Sequence, residues 1–205
     1  MKNPLSYQIT EYDCGPTTLC NALSFLYDRE DIRPEVIKFI NLYCMDCFDA
    51  TGEPCKNGTS PFAMTFLANW LNHFSQMKKW PVRCEVLTAD EVYLGQSSRI
   101  IAALQQGGAA VVRLHLDCEH YVLLTGAGED TVDVFDPYYW PDACHDPRVQ
   151  PVHDQPTRMN RRIHWDVFNT EGMGHYNMGV KAKRECVLLF NTATRQDGET
   201  LEYSI

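Results

Sequence analysis

Between residues 14 and 74 apolar side chains recur at helical spacing, and after Pro81 they recur in short runs suited to strands. That change of period points to an α+β domain, with a helical N-terminal part packed on a largely antiparallel sheet. Leu19, Ala22, Leu23 and Leu26 form one buried stripe on a helix over 14–28. A second helix opens at Pro34, since proline suits the first helical turn, and carries Val36, Ile37, Ile40 and Tyr43. A third follows "NGTSP", with Ser60 as N-cap and Phe62, Phe66, Leu67, Trp70, Leu71 and Phe74 on its faces. "VRCEVLT" then reads as a strand, and a short helix over 98–106 stops at Gly107 and Gly108. "AAVVRLHL", "HYVLLTG", "TVDVFDP" and "RECVLLFN" add four strand-like runs. Residues 138–180, rich in Pro, His and aromatics with weak periodicity, read as a long irregular excursion holding a short helix.

A chain of 205 residues, 44% apolar, buries on the order of 70% of its unfolded surface as one unit. One domain over 1–205 is therefore expected. The net charge of −9 argues against a nucleic-acid surface, which needs clustered Lys and Arg. The small basic groups at Arg158, Arg161, Arg162 and at Lys181, Lys183, Arg184 read as solvated faces, because acidic residues outnumber basic ones 27 to 18. No apolar run approaches the roughly 18 residues of a membrane span. "MKNPLSYQITEYD" lacks the apolar core of a secretory signal, so a soluble, cytoplasmic protein with free thiols is expected of its nine cysteines.

Cys14 heads the first helix in "YQITEYDCGPTTLCNALSFLYD". Unpaired N–H groups and the macrodipole at a helix N-terminus favour negative charge there, which suits a thiolate nucleophile. Pro16 supports the placement, because its missing N–H falls among the orphan donors of the first turn. Asp13 opposes it, since an adjacent carboxylate disfavours a second negative charge. Activation then requires a histidine in hydrogen-bond reach, itself oriented by a third group. A buried core thiol is the plain alternative.

"EHYVLLTGAGEDTVDVFDP" offers that pair. A hairpin centred on Gly128 sets Val122 against Val134, Leu124 against Val132, and His120 against Asp136. Directly opposed residues on one face have Cβ atoms roughly 4.5–5.5 Å apart, close enough for a carboxylate to hold an imidazole. An odd shift of register would separate the two, and a shift by two would leave them diagonal neighbours.

Gln8 six before Cys14, "DCGP" around the thiol, "HYV" opening one strand and "DP" closing the next together resemble the papain-like cysteine peptidases of the bacteriocin-processing type, the double-glycine leader peptidases of family thirty-nine. "GTSP" and "LQQGGAAVVRL" look like that family too. The resemblance implies a papain-like fold and a peptide or amide substrate. It also implies Cys14 as nucleophile, His120 as general base and acid, Asp136 as orienting carboxylate, and Gln8 as oxyanion-hole side chain beside the Cys14 N–H. Members usually form the front domain of an export transporter, so a chain without membrane segments resembles a stand-alone member. Acyl transfer of the phytochelatin-synthase type, or peptide binding without catalysis, are the alternatives the same fold leaves open.

His175 in "GMGHYNMG" is the rival base, because Asn177 is nearby and the order Cys, His, Asn also occurs in papain-like enzymes. His115 reads as a polar-side strand residue, and His145, His153 and His164 carry no pattern. "CMDC" at Cys44 and Cys47, with Cys55 beyond, lacks the second close pair of a zinc site unless Cys84 and His73 are recruited. Free thiols are expected there, with no metal and no cofactor.

Overall fold

The computed structural model describes residues 1–139 and 146–195; His145 therefore lies outside the described residues. Helix α1 runs over Cys14–Leu26, α2 over Pro34–Tyr43 and α3 over Pro61–Lys78. Strand β1 (Val82–Thr88) and helix α4 (Arg99–Gln105) lead into β2 (Ala109–Leu116), β3 (Cys118–Ala127) and β4 (Thr131–Phe135). After them come β5 (Val149–Pro151), β6 (Arg161–His164), α5 (Trp165–Asn169) and β7 (Glu185–Asn191). The seven strands form one sheet in the order β1-β7-β2-β3-β4-β6-β5, with every pairing antiparallel. The chain is thus α+β, and no helix among the described residues is long and apolar enough to cross a membrane.

Period-two alternation divides the sheet between two cores. Val111, Tyr121, Leu123, Val187 and Leu189 face α1, α2 and α3, where Leu19, Ala22, Leu23, Ile40, Leu67 and Leu71 are buried. Ala110, Val112, Val122, Leu124, Val134 and Leu188 face the other way, onto Ile100 and Ile101 of α4 and Val167 and Phe168 of α5. All seven residues of β7 are buried, because this strand inserts between β1 and β2 and is covered on both faces. Each fully buried leucine of the α1 stripe contributes about 1.5–3 kcal/mol by leaving water. On α3, Phe62, Phe66 and Met77 are the exposed apolar side chains, Phe62 most of all at 85%.

Local chemistry sets the helix ends. Ser60 Oγ accepts the Ala63 N–H at 3.2 Å, and Pro61 occupies the first turn of α3, as its sequence leads one to expect. Asn72 on α3 brackets the main chain of Cys84 on edge strand β1, donating to its carbonyl at 2.9 Å and accepting its N–H at 2.7 Å. That cap covers part of an otherwise open sheet edge.

The β3–β4 hairpin differs from the symmetrical pairing. Its turn spans Gly128 to Thr131, closed by the Gly128 N–H to the Thr131 carbonyl at 2.8 Å, so Glu129 and Asp130 are at its centre. Leu124 pairs with Val134, and Leu123 with Phe135, two residues from the expected register. Between Leu124 and Gly126 the ladder shifts, and the Thr125 hydroxyl at the irregularity donates to the Arg158 carbonyl at 2.9 Å. Continuing the pairing by one step sets Asp136 opposite Val122, so His120 and Asp136 are diagonal neighbours on one face. The excursion also holds more order than its sequence texture suggests: β5 and β6 extend the sheet beyond β4, and α5 follows directly.

Candidate active site

Cys14 is the first residue of α1 and is 6% exposed. No side chain caps this helix. Asp13, at the N-cap, instead turns back: its carboxylate accepts the N–H groups of Ile9 at 3.0 Å and Thr10 at 2.7 Å, and the Thr10 hydroxyl at 2.7 Å. Burial pushes that carboxyl up, but these bonds outweigh it and hold it below its usual range. The orphan N–H groups of the first turn are left to whatever anion lies there. Gly15 is required by close approach: a Cβ there would stand 2.2 Å from Thr59 Oγ1. Thr18, one turn on, donates to the Tyr121 carbonyl at 3.0 Å and so ties the start of α1 to β3 beside His120.

His120 is 4% exposed and Asp136 fully buried, and His120 Nε2 lies 2.8 Å from Asp136 Oδ1. Burial of the ring is the largest influence on the imidazole and disfavours its charged form. The hydrogen bond to Asp136, and after it the interaction with Cys14, outweigh burial and raise the pKa to about 10. The structure thus brings Cys14, His120 and Asp136 together from α1, β3 and the end of β4.

Asp136 is held from every side. Its Oδ1 also accepts the Tyr138 N–H at 2.9 Å, and its Oδ2 accepts the Tyr176 hydroxyl at 2.8 Å. Asn160 brackets its main chain, accepting the N–H at 2.9 Å and donating to the carbonyl at 2.7 Å. A buried carboxyl group left without such partners is costly to the fold. Tyr176 takes a left-handed backbone, φ 63°, a region that costs a bulky residue about 1–3 kcal/mol. Neither Tyr176 nor Asn160 was a candidate from sequence. No local sequence signal marks either, since the aspartate they hold lies 40 and 24 residues away in the chain.

Gln8 is anchored nearby. Its N–H donates to the Pro137 carbonyl at 2.8 Å, one residue past Asp136, and Asn21 on α1 brackets the main chain of Ser6 with two bonds of 2.8 Å. Its Nε2 donates to the Thr10 carbonyl at 2.7 Å, while its Oε1 is buried with no hydrogen-bond partner among the described residues. A cavity of about 160 Å³ has Tyr7, Phe135, Met159, Asn160 and Arg161 in its wall, next in sequence to Gln8 and Asp136 but lined by neither of them nor by Cys14 or His120.

The rival histidines fall elsewhere. His175 Nε2 lies 3.0 Å from Asp117 Oδ1, an exposed carboxylate. Asn177 serves the backbone: its side chain accepts the Gly174 N–H at 2.9 Å and donates to the Val167 carbonyl at 2.7 Å. His115 pairs through its main chain with Tyr176 and Asn177, and His164 lies 3.6 Å from Asp130. Cys44 is buried against Thr59, 3.6 Å from its hydroxyl, whereas Cys55 is exposed. Among the described residues no three His, Cys, Asp or Glu side chains are grouped to hold a metal ion. Burial pushes the Cys20 and Cys84 thiols up to about 12, which leaves them inert near neutral pH. Neither a protein-family model nor a curated protein matches the chain.

Proposed function

We propose that the chain is a cysteine hydrolase with a papain-like fold that cleaves a peptide or amide bond through a thioester, in a reducing, cytoplasmic setting. The observation that carries this reading is the buried 2.8 Å His120–Asp136 bond set against Cys14 at the uncapped start of α1. A cationic imidazole and a helix N-terminus both favour a thiolate. Since Nε2 is engaged by Asp136, Nδ1 is the ring nitrogen that serves the sulfur.

The sulfur attacks the substrate carbonyl carbon, and the electron pair moves onto oxygen. The Cys14 N–H and the second amide hydrogen of Gln8, the first being given to Thr10, stabilise that oxyanion. His120 then gives its proton to the amide nitrogen, the carbon–nitrogen bond breaks, and the amine leaves with a thioester behind. The neutral imidazole takes a proton from water, hydroxide attacks the thioester, and the acid leaves as the Cys14 thiolate and the His120 imidazolium reform.

Limited iodoacetamide labelling followed by a peptide-library screen tests the reading. Cys14 is expected to label first among the thiols, and alkylated protein to lose all cleavage. Preferential labelling of Cys47 or Cys55 with Cys14 inert would overturn it. Product masses show whether water or an added amine takes the acyl group.

A further inference from the structure

We propose that Tyr176 is a positioning residue for this site: its hydroxyl locks the Asp136 carboxylate in the rotation that keeps Oδ1 on His120. The inference rests on reading Cys14 and His120 as nucleophile and base. Asn160 fixes the Asp136 main chain but touches neither carboxylate oxygen. Rotation about the last side-chain torsion is therefore set by the Tyr138 N–H on Oδ1 and the Tyr176 hydroxyl on Oδ2. Removing the phenol oxygen leaves a fully buried oxygen without that donor, while the Tyr138 N–H and His120 still hold the carboxylate through Oδ1.

The surrounding chain is shaped to deliver this hydroxyl. Tyr176 is 1% exposed, and its left-handed φ of 63° lies between His175, which bonds to Asp117, and Asn177, which is tied to Val167. Its N–H donates to the His115 carbonyl at 2.8 Å, and the Asn177 carbonyl accepts the His115 N–H at 2.9 Å. A residue kept only to fill space would meet the same volume with phenylalanine. The other ionisable groups around it are Asp136 at the end of β4, Arg161 on β6, His115 on β2, and, beyond Asp136, His120 on β3 and Cys14 on α1.

The test follows Cys14 alkylation by iodoacetamide against pH in the wild type, His120→Ala and Tyr176→Phe, with thermal melts to check folding. Tyr176→Phe is expected to melt within a few degrees of the wild type, to alkylate at least fivefold more slowly at pH 7, and to show its alkaline inflection about one pH unit lower. An unchanged or raised inflection in Tyr176→Phe, with His120→Ala still slowing alkylation, overturns the positioning role and leaves the Cys14–His120 reading standing. Alkylation indifferent to His120→Ala overturns both. Should Tyr176→Phe fail to fold, NMR of wild-type protein with selectively labelled tyrosine decides. An exchange-protected Tyr176 hydroxyl proton supports the proposal, and a rapidly exchanging one overturns it.

Discussion

Among the described residues two histidine–aspartate pairs are joined by hydrogen bonds of nearly equal length, 2.8 Å at His120–Asp136 and 3.0 Å at His175–Asp117. Their side chains differ in exposure: 5% and 0% in the first pair, 28% and 84% in the second. Around the first, Tyr138 and Tyr176 supply donors to a carboxylate that water cannot reach, Asn160 brackets the main chain of the same aspartate, and Cys14 lies in hydrogen-bond reach of the imidazole. Around the second, solvent supplies whatever the carboxylate lacks. Bond length therefore says little about chemistry here; the buried, satisfied shell is what gives one pair a fixed geometry and charge.

The comparison breaks most sharply through substitution at each histidine. His120→Ala is expected to lower turnover by about 10²- to 10⁴-fold, the range for losing a general acid and base, and Cys14→Ala to abolish it. His175→Ala is expected to stay within about twofold of the wild type, as a screened surface pair should. Equal losses at the two histidines in steady-state assays would show that burial was the wrong criterion. Next in size, Gln8→Ala should cost about 10²- to 10³-fold in kcat with KM little changed, the signature of one lost oxyanion donor. A loss confined to KM would mean that Gln8 only shapes the cleft.

These residues were not equally legible in sequence. Cys14 was readable because helix starts have local signatures, and the Gly15–Pro16 step marks one. His120 and Asp136 were readable as a pair only through strand alternation, which survives an even slip: the register moved by two and the pair stayed on one face. The slip itself was not foreseeable, since Glu129 and Asp130 make the turn and a bulge near Thr125 absorbs the offset. Tyr176 and Asn160 escaped because nothing local marks them. Their roles arise from contacts 40 and 24 residues away in the chain, and the weakly periodic stretch that carries them is placed by pairing with β4 and β2 rather than by its own periodicity. Strands β5 and β6, three and four residues long, are too short for alternation to register.

Stability against pH sharpens the contrast by a smaller amount. His120 carries a pKa raised from 6.5 to about 10, so its pairing binds a proton more tightly in the folded chain than in the unfolded one. The stabilisation is complete below pH 6.5 and fades as pH rises through about 10. Urea midpoints taken from pH 6 to pH 10.5 are expected to fall over the alkaline part of that range in the wild type. In His120→Gln the fall should flatten, and in His175→Gln it should match the wild type. A wild-type profile that is flat over this window would mean that the imidazole is not held as a cation.

Asp117→Ala carries the smallest expected effect and is the strictest check on the exposed pair. Asp117 sits in the left-handed region, φ 60°, at the tip joining β2 to β3, and a β-carbon there is strained whether the residue is aspartate or alanine. Aspartate tolerates the conformation better than alanine, so part of any loss comes from the backbone and not from His175. Asp117→Asn keeps the turn preference and removes the charge. It is expected to cost under about 1 kcal/mol, the ceiling for an exposed ion pair, and less still at high salt. Asp117→Ala should exceed it by the backbone share alone, and Asp117→Gly should recover that share, since glycine adopts positive φ freely. If Asp117→Asn instead lost as much stability as Asp136→Asn, with both measured by urea unfolding at pH 7, the two pairs would be energetically alike and burial would not be what separates them.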